Sequence, residues 1–293
     1  MAEVLVCGSA VVDMVFDVEA FPTRPEKYAA RGARIVGGGC AGNAAVAIAR
    51  LGGQARLIAR CGQDLMGDLT LEGLAQEGVD LTLVQRAEGG QSAYSSILVD
   101  PRGERQIMAF RGAGLDLPPP TDLGQPAAVL ADTRWPEAAE VALTFARSRG
   151  IPGVLDGEAP VPQTLVEMAT HAVFSAQGLR DFTGIEDLAA ALAEVARLTG
   201  WVAVTDGAAG VRSIDRNGLP GHVAAPQIEV KDTLGAGDIW HGAFTLALAE
   251  GADETQAQRF AQAAAALKCT RPGGRDGAPL RGETMDFMQR IDL

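Results

Sequence analysis

The apolar positions of this chain fall into short continuous runs separated by longer, helically spaced stretches. Val4-Leu-Val-Cys-Gly8, Arg56–Arg60, Ala127–Ala131, Gly153–Leu155, Ala172–Phe174 and Trp201–Thr205 read as brief buried strands. Between and after them, Ala44–Gly52, Leu69–Glu77, Pro136–Arg149, Leu188–Thr199, Ile239–Glu250 and Glu254–Lys268 carry helical patterns. Strand–helix alternation of this kind predicts an α/β layer fold with a mostly parallel sheet, whose ligands bind at the carboxyl ends of the strands. Two stretches, 13–36 and 91–111, break the rhythm with extended, polar-alternating residues. Within the second, Ser92–Asp100, the turn Pro101-Arg-Gly103 and Glu104–Phe110 predict a hairpin. The two stretches together predict a small accessory sheet covering a site.

Length and composition narrow this picture. The 293 residues, 47% apolar and 21% charged, suffice for one large α/β domain with a substantial core. A net charge of −12 disfavours nucleic acid and anionic membranes as partners, yet a local basic pocket can still take an anionic small molecule. Cys7, Cys40, Cys61 and Cys269 are scattered without a CxxC pair, and His171, His222 and His241 form no zinc motif. Met1-Ala-Glu runs straight into a strand and no apolar run reaches membrane-spanning length, so a cytoplasmic protein with reduced thiols is expected.

The chemistry concentrates in two small-residue turns. In Lys231-Asp-Thr-Leu-Gly-Ala-Gly-Asp238, Gly235, Ala236 and Gly237 leave backbone N–H groups free to approach an anion at the start of an apolar helix. Asp238 then lies in the first helical turn. There it is either an ordinary acidic cap or a base that takes a proton beside the anion. The helix end is expected to lower its pKa and keep it ionised. The second turn, Gly38-Gly-Cys-Ala-Gly-Asn43, leads into an Ala-rich helix; Asn43 is either its N-cap or a ligand contact.

With both turns placed, and with Val204-Thr-Asp-Gly-Ala-Ala-Gly210 between them in the expected context, the chain resembles the ribokinase-like (PfkB) carbohydrate kinases from about Val4 to its C-terminal region. The resemblance implies a three-layer α/β/α ribokinase-like fold with a small β-sheet lid. Residues 1–293 would form a single kinase domain with lid segments at about 13–36 and 91–111. It implies ATP as phosphoryl donor, Mg2+ on the ATP phosphates largely through water, and a monovalent cation such as K+ near Asp232 and the 270–275 loop. Asp238 would be the catalytic base, and the amides of Gly235, Ala236 and Gly237 the anion hole. Asp13, Gly39 and Asn43 would contact sugar hydroxyls. Thr205, Gly207, Gly210 and Ala264 (or Ala265) would line the nucleotide. A homodimer through the lid is the assembly it favours. One departure stands out: where family members carry Asn-x-x-Glu near magnesium, this chain has Ser175-Ala-Gln-Gly178, leaving the metal ligands unassigned and Gln177 or Asp181 as substitutes.

Within the family, Glu26-Lys27-Tyr28, Val129–Trp135, Phe174-Ser175 with Gly178-Leu179, and Lys268–Arg275 are similar to the sulfofructose kinases, which phosphorylate the C1 hydroxyl of a ketose bearing a C6 sulfonate. That likeness places Lys27 and Arg134 beside the sulfonate. The other reading pairs Arg134 with Asp132 or Glu137 and leaves Lys27 solvated. In the hairpin, Ala109 stands where those kinases have Asn, with Arg111 as a replacement donor. Fructokinase, ribokinase and nucleoside kinase remain alternatives, as does a non-catalytic sugar or nucleotide sensor. A dinucleotide-binding dehydrogenase does not fit, since no GxGxxG follows the first strand.

Overall fold

A computed structural model describes residues 1–291 of the chain. Its strands in chain order are β1 (Glu3–Cys7), β2 (Val11–Asp17), β3 (Gly32–Gly38), β4 (Gln54–Ile58), β5 (Arg60–Gly62), β6 (Gln85–Ala87), β7 (Tyr94–Val99), β8 (Arg105–Phe110), β9 (Ala128–Ala131), β10 (Gly153–Asp156), β11 (His171–Ser175), β12 (Val202–Thr205), β13 (Val211–Ile214) and β14 (Pro220–Val223). The helices are α1 (Cys40–Arg50), α2 (Leu65–Gln76), α3 (Pro136–Arg149), α4 (Gln163–Met168), α5 (Ala176–Thr183), α6 (Leu188–Val195), α7 (Ala236–Ala249), α8 (Glu254–Cys269) and α9 (Arg281–Ile291).

Eight strands form one large sheet in the order β14-β13-β12-β11-β10-β9-β1-β4. The six from β4 to β12 run parallel; β13 and β14 turn back antiparallel at one edge. Alternate residues of each parallel strand feed opposite cores. Val4 and Val6 pack with α1, α7 and α8, whereas Leu5 and Cys7 pack with α3, α4 and α6. Burial on both faces is why these strands read as unbroken apolar runs. Helix α3 has the bounds the sequence predicts because both ends are marked: Pro136 opens it, and Gly150 closes it at φ 65.

The two rhythm-breaking stretches form a second sheet, ordered β3-β2-β7-β8, with β7 and β8 as the predicted hairpin. Two carboxylates fasten three of the crossings between the sheets. Asp132, beyond β9, accepts from Ser9 N at 2.7 Å, Ser9 Oγ at 3.1 Å and Ala41 N at 3.2 Å. Asp64 accepts from Ser92 N at 2.8 Å and Ser92 Oγ at 2.5 Å while also capping α2.

Two sequence expectations about elements change. Helix α1 begins at Cys40, because Gly39 makes the turn at φ 84, where a side chain would strike Ser9 O at 2.5 Å. Asn43 is therefore inside the helix and is not its cap. The pattern over Leu188–Thr199 yields a helix only to Val195. No described helix is long and apolar enough to cross a membrane. All four cysteines are free.

Candidate functional site

Two depressions meet at the N-terminus of α7. The first is a polar cavity of ≈ 330 Å³ beneath the small sheet. Asp13 enters it from β2, Gly39 and Asn43 from the start of α1, Arg134 from the segment after β9, and Asp238 from α7. The second is a groove of ≈ 500 Å³ lined by Thr205, Gly207 and Gly210, the 225–228 segment, Ala236, Gly237 and Trp240, and Gln262 and Ala265 of α8. Leu234, Gly235 and Asp238 face the cavity; Thr233, Ala236 and Gly237 face the groove. One turn of backbone thus separates and joins the two.

The local sequence explains that turn. Gly235 is the N-cap of α7 at φ 76, a left-handed conformation that a side chain would strain. At Gly237 an added Cβ would meet nothing within 4 Å, so the missing side chain leaves open space in front of the helix end. The Ala236 amide donates to Thr233 O at 3.2 Å and so closes the turn from which α7 starts.

Asp238 lies at the floor of the cavity. Its Oδ2 accepts from Asn43 Nδ2 at 2.7 Å, which gives the buried Asn43 a role the cap reading missed. Burial first, then the neighbouring Asp156 carboxylate, push the Asp238 pKa up to about 7. The expectation of a firmly ionised Asp238 is thereby overturned: desolvation and a like charge outweigh the helix end and the Asn43 hydrogen bond. Asp156 is itself raised well above the usual range, by burial and then by Glu158. His241 packs behind, its Nδ1 donating to Gly237 O at 2.7 Å and its Nε2 lying 3.6 Å from Asp156 Oδ1. Burial lowers the His241 pKa and favours a neutral ring.

Asp13 is 8% exposed in the middle of β2, not a solvated strand end. Arg134 pairs with neither Asp132 nor Glu137. Its guanidinium reaches Glu158 at 2.7 Å and Ala159 O at 3.0 Å, because Asp132 is occupied with backbone amides. Lys27 is exposed on the 18–31 loop and is not brought to the cavity. Ala264 is also displaced: it is fully buried in the core, and Ala265, one helical step on, lines the groove. A step of about 100° around a helix moves a side chain to another face.

Sequence reading missed Arg60, Cys40 and Glu158 in the cavity and Gln262 in the groove. It also missed Arg105 of β8, which donates to Thr233 Oγ1 at 2.6 Å and ties the small sheet to the anion turn. Cys40 sits within the Gly38–Asn43 turn but was read only as a scattered thiol; the others lie outside the motifs, and only tertiary contact reveals them. Arg60 lies 4.8 Å over the Trp135 ring, and Arg111 lines the same cavity.

The donor set does not form a magnesium cage. Gln177 and Asp181 are exposed and bonded to each other at 2.7 Å, while Ser175 caps α5. Among the described residues, the clustered donors are Cys40, Asp156 and Asp238. A thiol beside the buried Asp156 and the half-buried Asp238 does not match magnesium's preference for oxygen and water.

Residues 1–281 match the pfkB family carbohydrate kinases. The chain belongs to this family. Haemophilus influenzae ribokinase is 30% identical to this kinase, over 97% of each chain. A crystal structure from Agrobacterium tumefaciens, provisionally named a ribokinase, superposes with a TM-score of 0.94 at 38% identity, covering 100% of this chain and 99% of that one. Arabidopsis thaliana ribokinase, solved with ribose and ATP, gives a TM-score of 0.88 at 25% identity and 99% coverage of both. The kinase therefore has the ribokinase-like fold expected from its motifs. It is a phosphotransferase acting on a sugar hydroxyl, and the non-catalytic sensor is set aside.

Proposed function

We propose that this kinase transfers the γ-phosphoryl group of ATP to a primary hydroxyl of a ketose bearing a negative charge, with the C1 hydroxyl of 6-deoxy-6-sulfofructose as the leading case. The carrying observation is that Asp238 faces a cavity also lined by Arg60, Arg111 and Arg134, in a chain of net charge −12. Guanidinium groups donate several directed hydrogen bonds and suit a sulfonate or phosphate with three acceptor oxygens.

In this reading Asp13, Gly39 and Asn43 hold sugar hydroxyls. The groove takes ATP along Thr205, Gly207, Gly210 and Ala265. The sugar oxygen bonds to phosphorus as the bond to the ADP oxygen breaks, and the hydroxyl proton passes to Asp238. Phosphoryl transfer needs positioning and charge stabilisation more than a strong base, so a carboxylate suffices. The amides of Gly235, Ala236 and Gly237 stabilise the transferring group.

A neutral sugar is the second reading. It is favoured by the Arg134–Glu158 pair, which already satisfies one of the three cations, and by the ribokinase relatives. ADP release measured over sulfofructose, fructose 6-phosphate, fructose, ribose and inosine separates the two. The first reading expects the charged ketoses to lead; preference for ribose or fructose defeats it. The small sheet supports a homodimer: Ile35 and Met108 on its edge strands are 63% and 79% exposed. Light scattering at the mass of one chain would count against that assembly.

A further inference from the structure

The chain contains three lysines, and Lys268 is wholly buried. It lies in the last turn of α8, against the turn that leads into α7. Its Nζ donates to Asp232 O at 2.8 Å and lies 3.1 Å from Asp232 Oδ2. The same carboxylate accepts from Gly273 N at 3.0 Å and Gly274 N at 3.1 Å through Oδ2, and from Leu234 N at 2.8 Å through Oδ1. The amides of Lys231 and Asp232 donate to Cys269 O, next to Lys268 in sequence. Asp232 thus has five hydrogen-bond or ionic partners, and Lys268 supplies two of these contacts.

Burying a flexible ammonium carries a desolvation cost unless it is paired. Here burial lowers the Lys268 pKa while Asp232 opposes it. Asp232, although burial pushes it up, is held below the usual range by hydrogen bonds from Leu234 and Gly274 and by Lys268. The charge is placed where the backbone must hold one shape. Leu234 and Gly235 follow Asp232 by two and three residues, and their conformation aims the first amides of α7.

We propose that Lys268 is a built-in monovalent cation for this kinase. Its ammonium gathers a carbonyl and a carboxylate oxygen, fixes the 232–235 turn, and so positions the Ala236 and Gly237 amides for the phosphoryl group. Phosphoryl transfer then needs no added K+, contrary to the expectation drawn from resemblance. The inference rests on the anion-hole reading above.

The test is steady-state kinetics of the full chain in tetramethylammonium buffer with added K+, Na+ or NH4+. Wild-type kcat and the KM for ATP should change less than about twofold; a rise of about tenfold with K+ overturns the inference. Lys268→Ala should lower kcat roughly 10–100-fold, since loss of one well-aimed donor costs about that much or more. It should leave the KM for sugar unchanged, and K+ or methylammonium should restore part of kcat where tetramethylammonium does not. A folded Lys268→Ala protein with wild-type kcat, or a loss that no small cation repairs, overturns it. Lys268→Met replaces Lys268→Ala if the latter does not fold, and unfolding of both assigns Lys268 to stability alone. An inactive Asp238→Asn protein alongside an unimpaired Lys268→Ala protein would sink this inference and leave the kinase reading standing.

Discussion

The cavity and the groove differ in how they are built. The cavity is lined by charged and amide side chains from distant segments, among them Asp13, Asn43, Arg60, Arg111, Arg134, Glu158 and Asp238. The groove is lined mainly by small residues, backbone and apolar surface: Gly207, Gly210, Ala225, Pro226, Ala236, Gly237 and Ala265, with Trp240. A common nucleotide can be held by shape and main chain, whereas a particular sugar needs directed side chains. With the sugar in the cavity and the nucleotide in the groove, as proposed, specificity would belong to one side of the α7 turn and general chemistry to the other.

That division is tested first at Asp238, which in the proposed reaction takes the proton and contributes little to binding. Asp238→Asn should lower kcat by about 10²–10⁴-fold while nearly preserving the KM for sugar. Retained activity in coupled ADP assays would remove the base. On the cavity side, Arg134→Ala should raise the KM for sulfofructose by roughly 10–100-fold, the worth of a charged hydrogen bond, and leave that for fructose within about threefold. Equal changes for both sugars would place Arg134 in structure alone. On the groove side, Ala265→Phe should raise the KM for ATP by about tenfold through lost space, with the KM for sugar unchanged. Its neighbour gives the contrast. Ala264→Leu should cost ~1–3 kcal/mol of stability in urea unfolding and leave both KM values alone, because it overfills the core.

The smallest effect concerns protons. Only ionised Asp238 accepts one, so kcat/KM should rise with pH through about 7. Asp156→Asn removes a like charge and should move that midpoint about one unit toward acid. An unshifted profile would detach Asp156 from Asp238. The sign for stability is opposite. The folded pKa lies above the ordinary carboxylate value, so ionisation destabilises the fold as pH rises from about 4 to about 7. Asp238→Asn should therefore raise Tm more at pH 8 than at pH 5.

Much of the fold could be read because its signals are local. The parallel strands are apolar on both faces, and Pro136 and Gly150 mark the ends of α3. The two glycine turns could be read for the same reason. What failed depended on partners distant in sequence or on helical phase. The pKa of Asp238 follows from burial first and then from Asp156 across the site, not from its own helix end. Arg134 found Glu158 because Asp132 was already committed to amides. Ala264 and Ala265 are equivalent in composition and differ only in the face they present. Lys27 sits in a motif-like stretch, yet the fold leaves its loop in solvent.

The Asp132 and Asp64 clamps have a mechanical consequence. Ser9, Ala41 and Ser92 lie where the chain passes between the large and small sheets, and each is held by one of these two carboxylates. Rigid-body rotation of the small sheet must turn about those pinned points, with its displacement growing toward the β7–β8 tip. Asp13 and Arg111, both at the pinned end, would travel little, while Arg105 beside the tip would sweep a wider arc. The end of the small sheet that lines the cavity therefore works as an axle, and the Arg105 end, which reaches Thr233, as the swinging edge.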